Sequence, residues 1–150
     1  MKIVPKISTV LLSVFLLFAI TTFFGFRSEY ISTNALQSNG WKAPKSADKL
    51  KNPFINNKNA AEHGKKLFVQ DCVTCHGKSG LGNGIAGSAL NPKPANLTLK
   101  SVQSQSDGAI FWKISNGRNA MIPWKYTLSK NQRWQLVNYV RTLVKKNIKK

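Results

Sequence analysis

Acidic residues are nearly missing from this 150-residue chain, with 5 Asp and Glu against 23 Lys and Arg. Histidine is as scarce, with only His63 and His76 present. Side chains alone therefore offer no convincing acid–base constellation, and catalysis by the chain itself is not expected. The two cysteines, Cys72 and Cys75, fall short of the four ligands of a structural zinc site, and outside the CxxCH run the further ligand supply is one histidine, His63. Methionine occurs only at Met1 and Met121. No internal repeat is visible, and no stretch reads as a strand.

What the chain does hold is concentrated at Cys72-Val73-Thr74-Cys75-His76. Two thiols at this spacing, followed directly by histidine, match covalent haem attachment: the thiols add to two vinyl groups and the imidazole reaches the iron. A thioredoxin-like CxxC normally follows a strand in a βαβ unit, and none precedes Cys72. A disulfide between the two cysteines would close a very short loop and gain little. Haem attachment is the reading that uses both cysteines and the histidine.

Lys2 and Lys6 precede an uncharged, largely apolar run from Ile7 to Phe26. A charged start before such a run is an export signal. Its length matches the ~20 residues that span a bilayer, and no Ala-x-Ala site follows it. A retained anchor with a cytoplasmic N-terminus is favoured; cleavage between Ala19 and Ser32 is the alternative. The expected location is the inner membrane facing the periplasm, or the periplasm as a soluble protein if the segment is removed.

The net charge of +18 fits nucleic acid poorly in an exported chain, because the basic residues are scattered. Lys65, Lys66, Lys78, Lys93, Lys113, Arg118, Lys125 and Lys130 bracket the expected haem-bearing segments. They suit steering toward redox partners with acidic docking surfaces, or equally a generally basic, solvated surface.

Three segments follow: 1–26 as signal-anchor or signal peptide, 27–58 as a polar linker, and 59–150 as the domain. The linker is rich in Asn, Ser and Lys and broken by Pro44 and Pro53, with Trp41, Phe54 and Ile55 as candidates for a packed strap. Asn59 is a candidate cap for a first helix, with Ala60, Gly64, Leu67 and Phe68 on one face. A Gly- and Pro-rich irregular stretch from Gly77 to about Gln105 suits wrapping a large flat cofactor. Ser106 caps a second helix that Gly117 ends. Ser129 and Gln132 form a capping box for a third, whose apolar stripe is Leu136, Tyr139, Val140, Leu143 and Val144. The class is all-α.

Filling of the sixth iron position separates a carrier from a ligand binder. His63 lies on the helix leading into the motif and cannot reach the opposite face of the ring. Met121, on the irregular segment between the last two helices, can.

The domain resembles class I cytochromes c over residues 59–146. The resemblance rests on Gly64 and Phe68 before Cys72-x-x-Cys75-His76, Pro94–Leu97, Met121-x-Pro123, and Leu136-x-x-Tyr139. It implies three main helices wrapped around one covalently attached haem c, here preceded by an N-terminal apolar helix. By the same resemblance Cys72 and Cys75 carry the thioethers, and His76 and Met121 ligate the iron. Gly64, Phe68 and Tyr139 would lie where the first and last helices cross. A carbonyl of Pro92 or Pro94 would accept from His76, and Trp112, Ile122 and Trp124 would wall the pocket. The expected function is electron transfer by a membrane-tethered respiratory carrier. A haem subunit of a larger membrane oxidoreductase is the first alternative, and a haem-based sensor with an open sixth site the second.

Overall fold

The computed structural model describes residues 40–144. The apolar helix expected over 7–26 lies outside them. No helix among the described residues is long and apolar enough to cross a membrane.

Five α-helices form among the described residues: α1 (Lys58–Asp71), α2 (Val73–His76), α3 (Lys100–Gln103), α4 (Asp107–Asn116) and α5 (Lys130–Thr142). No strand occurs among the described residues; the one β-type pairing is an isolated bridge between Arg118 and Met121. The all-α expectation stands, with α1, α4 and α5 as the three longer helices.

Helix starts follow local chemistry. The first cap is Asn57 rather than Asn59: Asn57 is extended, and its side-chain oxygen accepts from the Ala60 amide at 2.9 Å. Ser106 accepts from Ala109 N–H at 3.0 Å and opens α4. Ser129 and Gln132 exchange both bonds of the capping box that opens α5. Each cap satisfies amides that the first helical turn leaves without partners.

Packing then turns these helices into a frame. Ala60, Gly64 and Phe68 form the buried face of α1, which crosses α5. At the crossing, the rings of Phe68 and Tyr139 lie 5.0 Å apart and tilted by 54°. Phe111 of α4 stacks on Trp134 of α5 at 4.0 Å. Trp134 and Val137 fall outside the expected stripe yet are 1% and 0% exposed, whereas Val144 is 49% exposed. Helix α5 is enclosed by α1 and α4 together, so burial spreads around it instead of following one face.

Part of the expected linker is built into this frame. A 3₁₀ turn at Lys45–Lys49 buries Ala47 against α4. Asn52 donates to Asp107 at 2.7 Å and accepts from the Phe54 amide at 2.9 Å. Trp41 and Phe54 pack as a strap should, but Ile55 is 64% exposed.

A cavity that gathers the motif and the methionine

Cys72 ends α1, and the chain turns at once into the single helical turn α2 that carries Cys75 and His76. The glycine-rich loop clasps this turn. Gly82 N–H donates to His76 O at 2.8 Å, Gly84 N–H to Cys75 O at 3.1 Å, and Ala86 N–H to Thr74 O at 3.0 Å. The carbonyls of Thr74, Cys75 and His76 are thus satisfied by the loop, and the side chains of Cys72, Cys75 and His76 face a cavity.

That cavity measures about 390 Å³. Its wall includes Phe68, Cys72, Cys75 and His76 from α1 and α2, then Pro92, Pro94, Ala95 and Leu97 from the loop. Met121, Ile122 and Trp124 close it from the segment between α4 and α5. Ile110, Ile114, Leu136 and Val140 line its apolar back. Residues far apart in the chain therefore meet on one surface, as the motif and Met121 would need.

Both cysteines are free thiols. Burial pushes the Cys72 thiol up to about 12, with the negative charges of Asp71 and Cys75 adding to it. A redox-active CxxC needs a thiolate held down in pKa, so this environment is the opposite of a thioredoxin-like one. No cluster of three or more His, Cys, Asp or Glu suited to a metal ion forms among the described residues.

His76 is oriented by one carbonyl. Its Nδ1 lies 3.2 Å from Ala95 O. A carbonyl can only accept, so Nδ1 carries the proton and Nε2 keeps its lone pair for a metal. Burial lowers the His76 pKa, while the Ala95 bond opposes this. The ring is accordingly held in the neutral form that ligates. The acceptor is neither Pro92 nor Pro94; those two residues line the cavity on either side of Lys93 instead.

Met121 is set in place by a tight turn. Its amide donates to Arg118 O at 3.0 Å, and its own carbonyl accepts from Arg118 N–H at 2.9 Å. Gly117, at φ +60°, permits this: a Cβ there would lie 2.2 Å from Met121 O. His63 is exposed on α1, away from the cavity wall.

One expected wall residue lies elsewhere. Trp112 is not on the wall; it is half-buried and leans on Trp41, with centroids 6.4 Å apart. Trp41 of the strap lines the cavity in its stead, as do Lys113 and Arg118. Their basic character was legible, but their position at the cavity depends on how the strap folds back.

The match to known proteins agrees with this geometry. Residues 59–140 match the family described as cytochrome c oxidase, cbb3-type, subunit III. The cbb3-type cytochrome c oxidase subunit FixP of Bradyrhizobium diazoefficiens is 34% identical over 85 residues, covering 55% of this chain and 27% of that protein. FixP of Azorhizobium caulinodans is 38% identical over 86 residues, covering 56% and 27% respectively. This chain thus matches little more than a quarter of the length of these curated relatives. A chain of the reducing HAO-like protein complex of Kuenenia stuttgartiensis superposes with a TM-score of 0.53 at 26% identity. The overlap covers 63% of this chain and 46% of that one. Two free thiols, a neutral imidazole and a thioether around an apolar cavity are a donor set that fits haem c and its iron, and the chain belongs to the cytochrome c oxidase, cbb3-type, subunit III family, as a c-type cytochrome domain.

Proposed function

We propose that this chain carries single electrons through one haem c and does so as the haem subunit of a larger membrane oxidoreductase. The observation that carries the reading is the shared cavity wall: Cys72, Cys75, His76 and Met121 all border one apolar space. Cys72 and Cys75 would each add S–H across a vinyl group, sulfur to one carbon and hydrogen to the other. His76, through the Nε2 lone pair, and Met121, through its thioether, are the residues that would hold the iron. When bound, haem supplies a one-electron ferrous–ferric couple. Retention of both ligands keeps reorganisation small, and a methionine ligand raises the potential. Ile110, Ile114, Leu136 and Val140 line the cavity and would give the haem an apolar wall. No side chain is asked to do chemistry on a substrate, so the role is that of a carrier and not of a catalyst.

Family membership favours the oxidase-subunit form of this reading over a free shuttle. The apolar run over 7–26 would hold the domain at the inner membrane with its haem facing the periplasm. The basic surface would meet acidic redox partners. A haem-stained denaturing gel of membrane and soluble fractions, with a ferric optical spectrum, tests the proposal. Expected are one full-length haem-positive band in membranes and a methionine–iron charge-transfer band. Absence of that band would return the sixth site to an open, ligand-sensing form. Co-purification with large membrane partners after mild detergent extraction separates the subunit from a free carrier.

A further inference from the structure

The strap runs along α4 and is fastened at the start of that helix. Ala47 is 2% exposed, and a Cβ on Gly108 would lie 1.9 Å from the Ala47 carbonyl oxygen. Ser106 donates to the Asp48 carboxylate, and Asn52 Nδ2 donates to Asp107 at 2.7 Å. Trp41 lies at the other end of α4. Its ring is 6.4 Å from that of Trp112, and Lys113 Nζ is 5.3 Å from its centroid. Of strap residues 41–57, Trp41 alone lines the cavity. It precedes the matched residues 59–140, so this contact is made from outside the family domain.

The helix end that Trp41 covers leads straight into the turn that carries Met121. Gly117 N–H donates to Lys113 O at 2.9 Å and closes α4. Arg118 and Met121 then exchange backbone bonds in both directions, at 2.9 and 3.0 Å. Those two bonds run within the turn, so they shape it without fastening it to the rest of the fold. Asn119, at φ +53°, and Ala120 form its exposed tip. The Arg118 side chain reaches out of the turn, and its Cζ lies 5.1 Å from the Trp41 centroid. Both residues are half-buried. A guanidinium on an indole face is attracted to it, more strongly where the pair is partly withdrawn from water. Contact thus passes from the strap through Arg118 to the backbone of Met121.

We propose that Trp41 is a positioning residue for the sixth ligand: packed on Arg118, it holds the Arg118–Met121 turn at the cavity and keeps the Met121 thioether available to the iron. This rests on the haem-carrier reading above. The strap is then part of the haem site although it supplies no atom to the iron. Loss of Trp41 would act on Met121 and leave Cys72, Cys75 and His76 in place, because α1, α2 and the glycine-rich loop set those three. The turn has a ligating state and an open one, and Trp41 biases it toward the first. A small ligand that takes the sixth position meets only the open state, so its apparent affinity reads that bias.

The test uses full-length ferric holoprotein with imidazole as the competing ligand. Trp41→Ala should raise the apparent imidazole affinity about tenfold and weaken the methionine–iron charge-transfer band. Trp41→Phe keeps a ring face and should stay within about twofold of the parent. The haem stain should be the same in all three proteins. A rise of less than about twofold in Trp41→Ala overturns the assignment and leaves the carrier reading intact, since the methionine band is still observed. An equal rise in Trp41→Phe overturns it too, because the ring face would not be the cause. A parent protein without the methionine band overturns the carrier reading, and this assignment with it. If Trp41→Ala does not accumulate with haem, the parent protein decides by reciprocity. A strap that favours Met121 on the iron must itself loosen when imidazole displaces Met121. Amide hydrogen exchange over residues 41–50 should then quicken on imidazole binding, and unchanged exchange there overturns the assignment.

Discussion

Gly64 of α1 lies against the backbone carbonyl of Gln135 in α5 so closely that a Cβ on Gly64 would sit 2.0 Å from that oxygen. The contact sets how near the two helices approach. It also seats Phe68, one turn further along α1, both on Tyr139 and beside the cavity.

Gly64→Ala should therefore part the helices, since the obstructing atoms are backbone and cannot swing away. We expect a loss of about 3 kcal/mol or more, at the upper end of overpacking costs. Denaturant unfolding of the holoprotein measures it. A change below about 1 kcal/mol would show that the crossing is not so constrained.

Asp107 ties the strap to the last helix. It accepts from Arg141 Nε at 2.7 Å and from Asn52 Nδ2 at 2.7 Å. Arg141 also donates to the carbonyls of Gln103 and Gln105 at 2.7 and 2.5 Å. Asp107→Ala should cost about 2 kcal/mol, in the range for hydrogen bonds to charged groups. It should also loosen residues 44–57, which limited proteolysis would report as faster cleavage there than in the parent protein.

The two thiols should be separable by gel. Cys72→Ala together with Cys75→Ala should abolish the haem stain that survives denaturation, while either single change leaves one thioether and a weaker stain. A stain that persists in the double variant would place attachment elsewhere.

Met121→Ala should remove the methionine–iron band and lower the reduction potential, because loss of the thioether withdraws a ligand that raises it. Met121→His should restore six-coordination but at a potential below that of the parent. An unaltered ferric spectrum in Met121→Ala would assign the sixth position to another group.

The charge imbalance should be visible in kinetics. With a net charge of +18, electron exchange with an acidic redox partner should slow as salt rises. Stopped-flow rates over a range of ionic strength would show this. A salt-independent rate would mean that the basic residues do not steer the encounter.

Local signals were legible in the sequence because they act within a turn or two. The capping box at Ser129 and Gln132, the Ser106 cap and the Gly117 stop depend on neighbours three or four residues away. The CxxCH run is local in the same sense, as is the pairing of Gly64 with Phe68 on one helical face. The first cap shows the limit of such signals: Asn59 reads as the cap, but the extended backbone and the capping bond fall at Asn57.

Long-range choices were beyond that reach. A proline carbonyl and the carbonyl of Ala95 are one residue apart, and only the path of the loop decides which meets His76 Nδ1. Trp41 and Trp112 are alike as aromatic side chains, and the fold of the strap decides which one borders the cavity. The sequence by itself determined the chemistry of the site: two thiols, one imidazole, one available thioether, and a strongly basic chain to carry them. Tertiary structure alone decided that these groups share one apolar wall, and that Lys113, Arg118 and Trp41 share its edge. The reason is physical. Bonding chemistry belongs to the residue and its spacing, whereas proximity across the chain is set by helix crossing and backbone clasping, which no local pattern encodes.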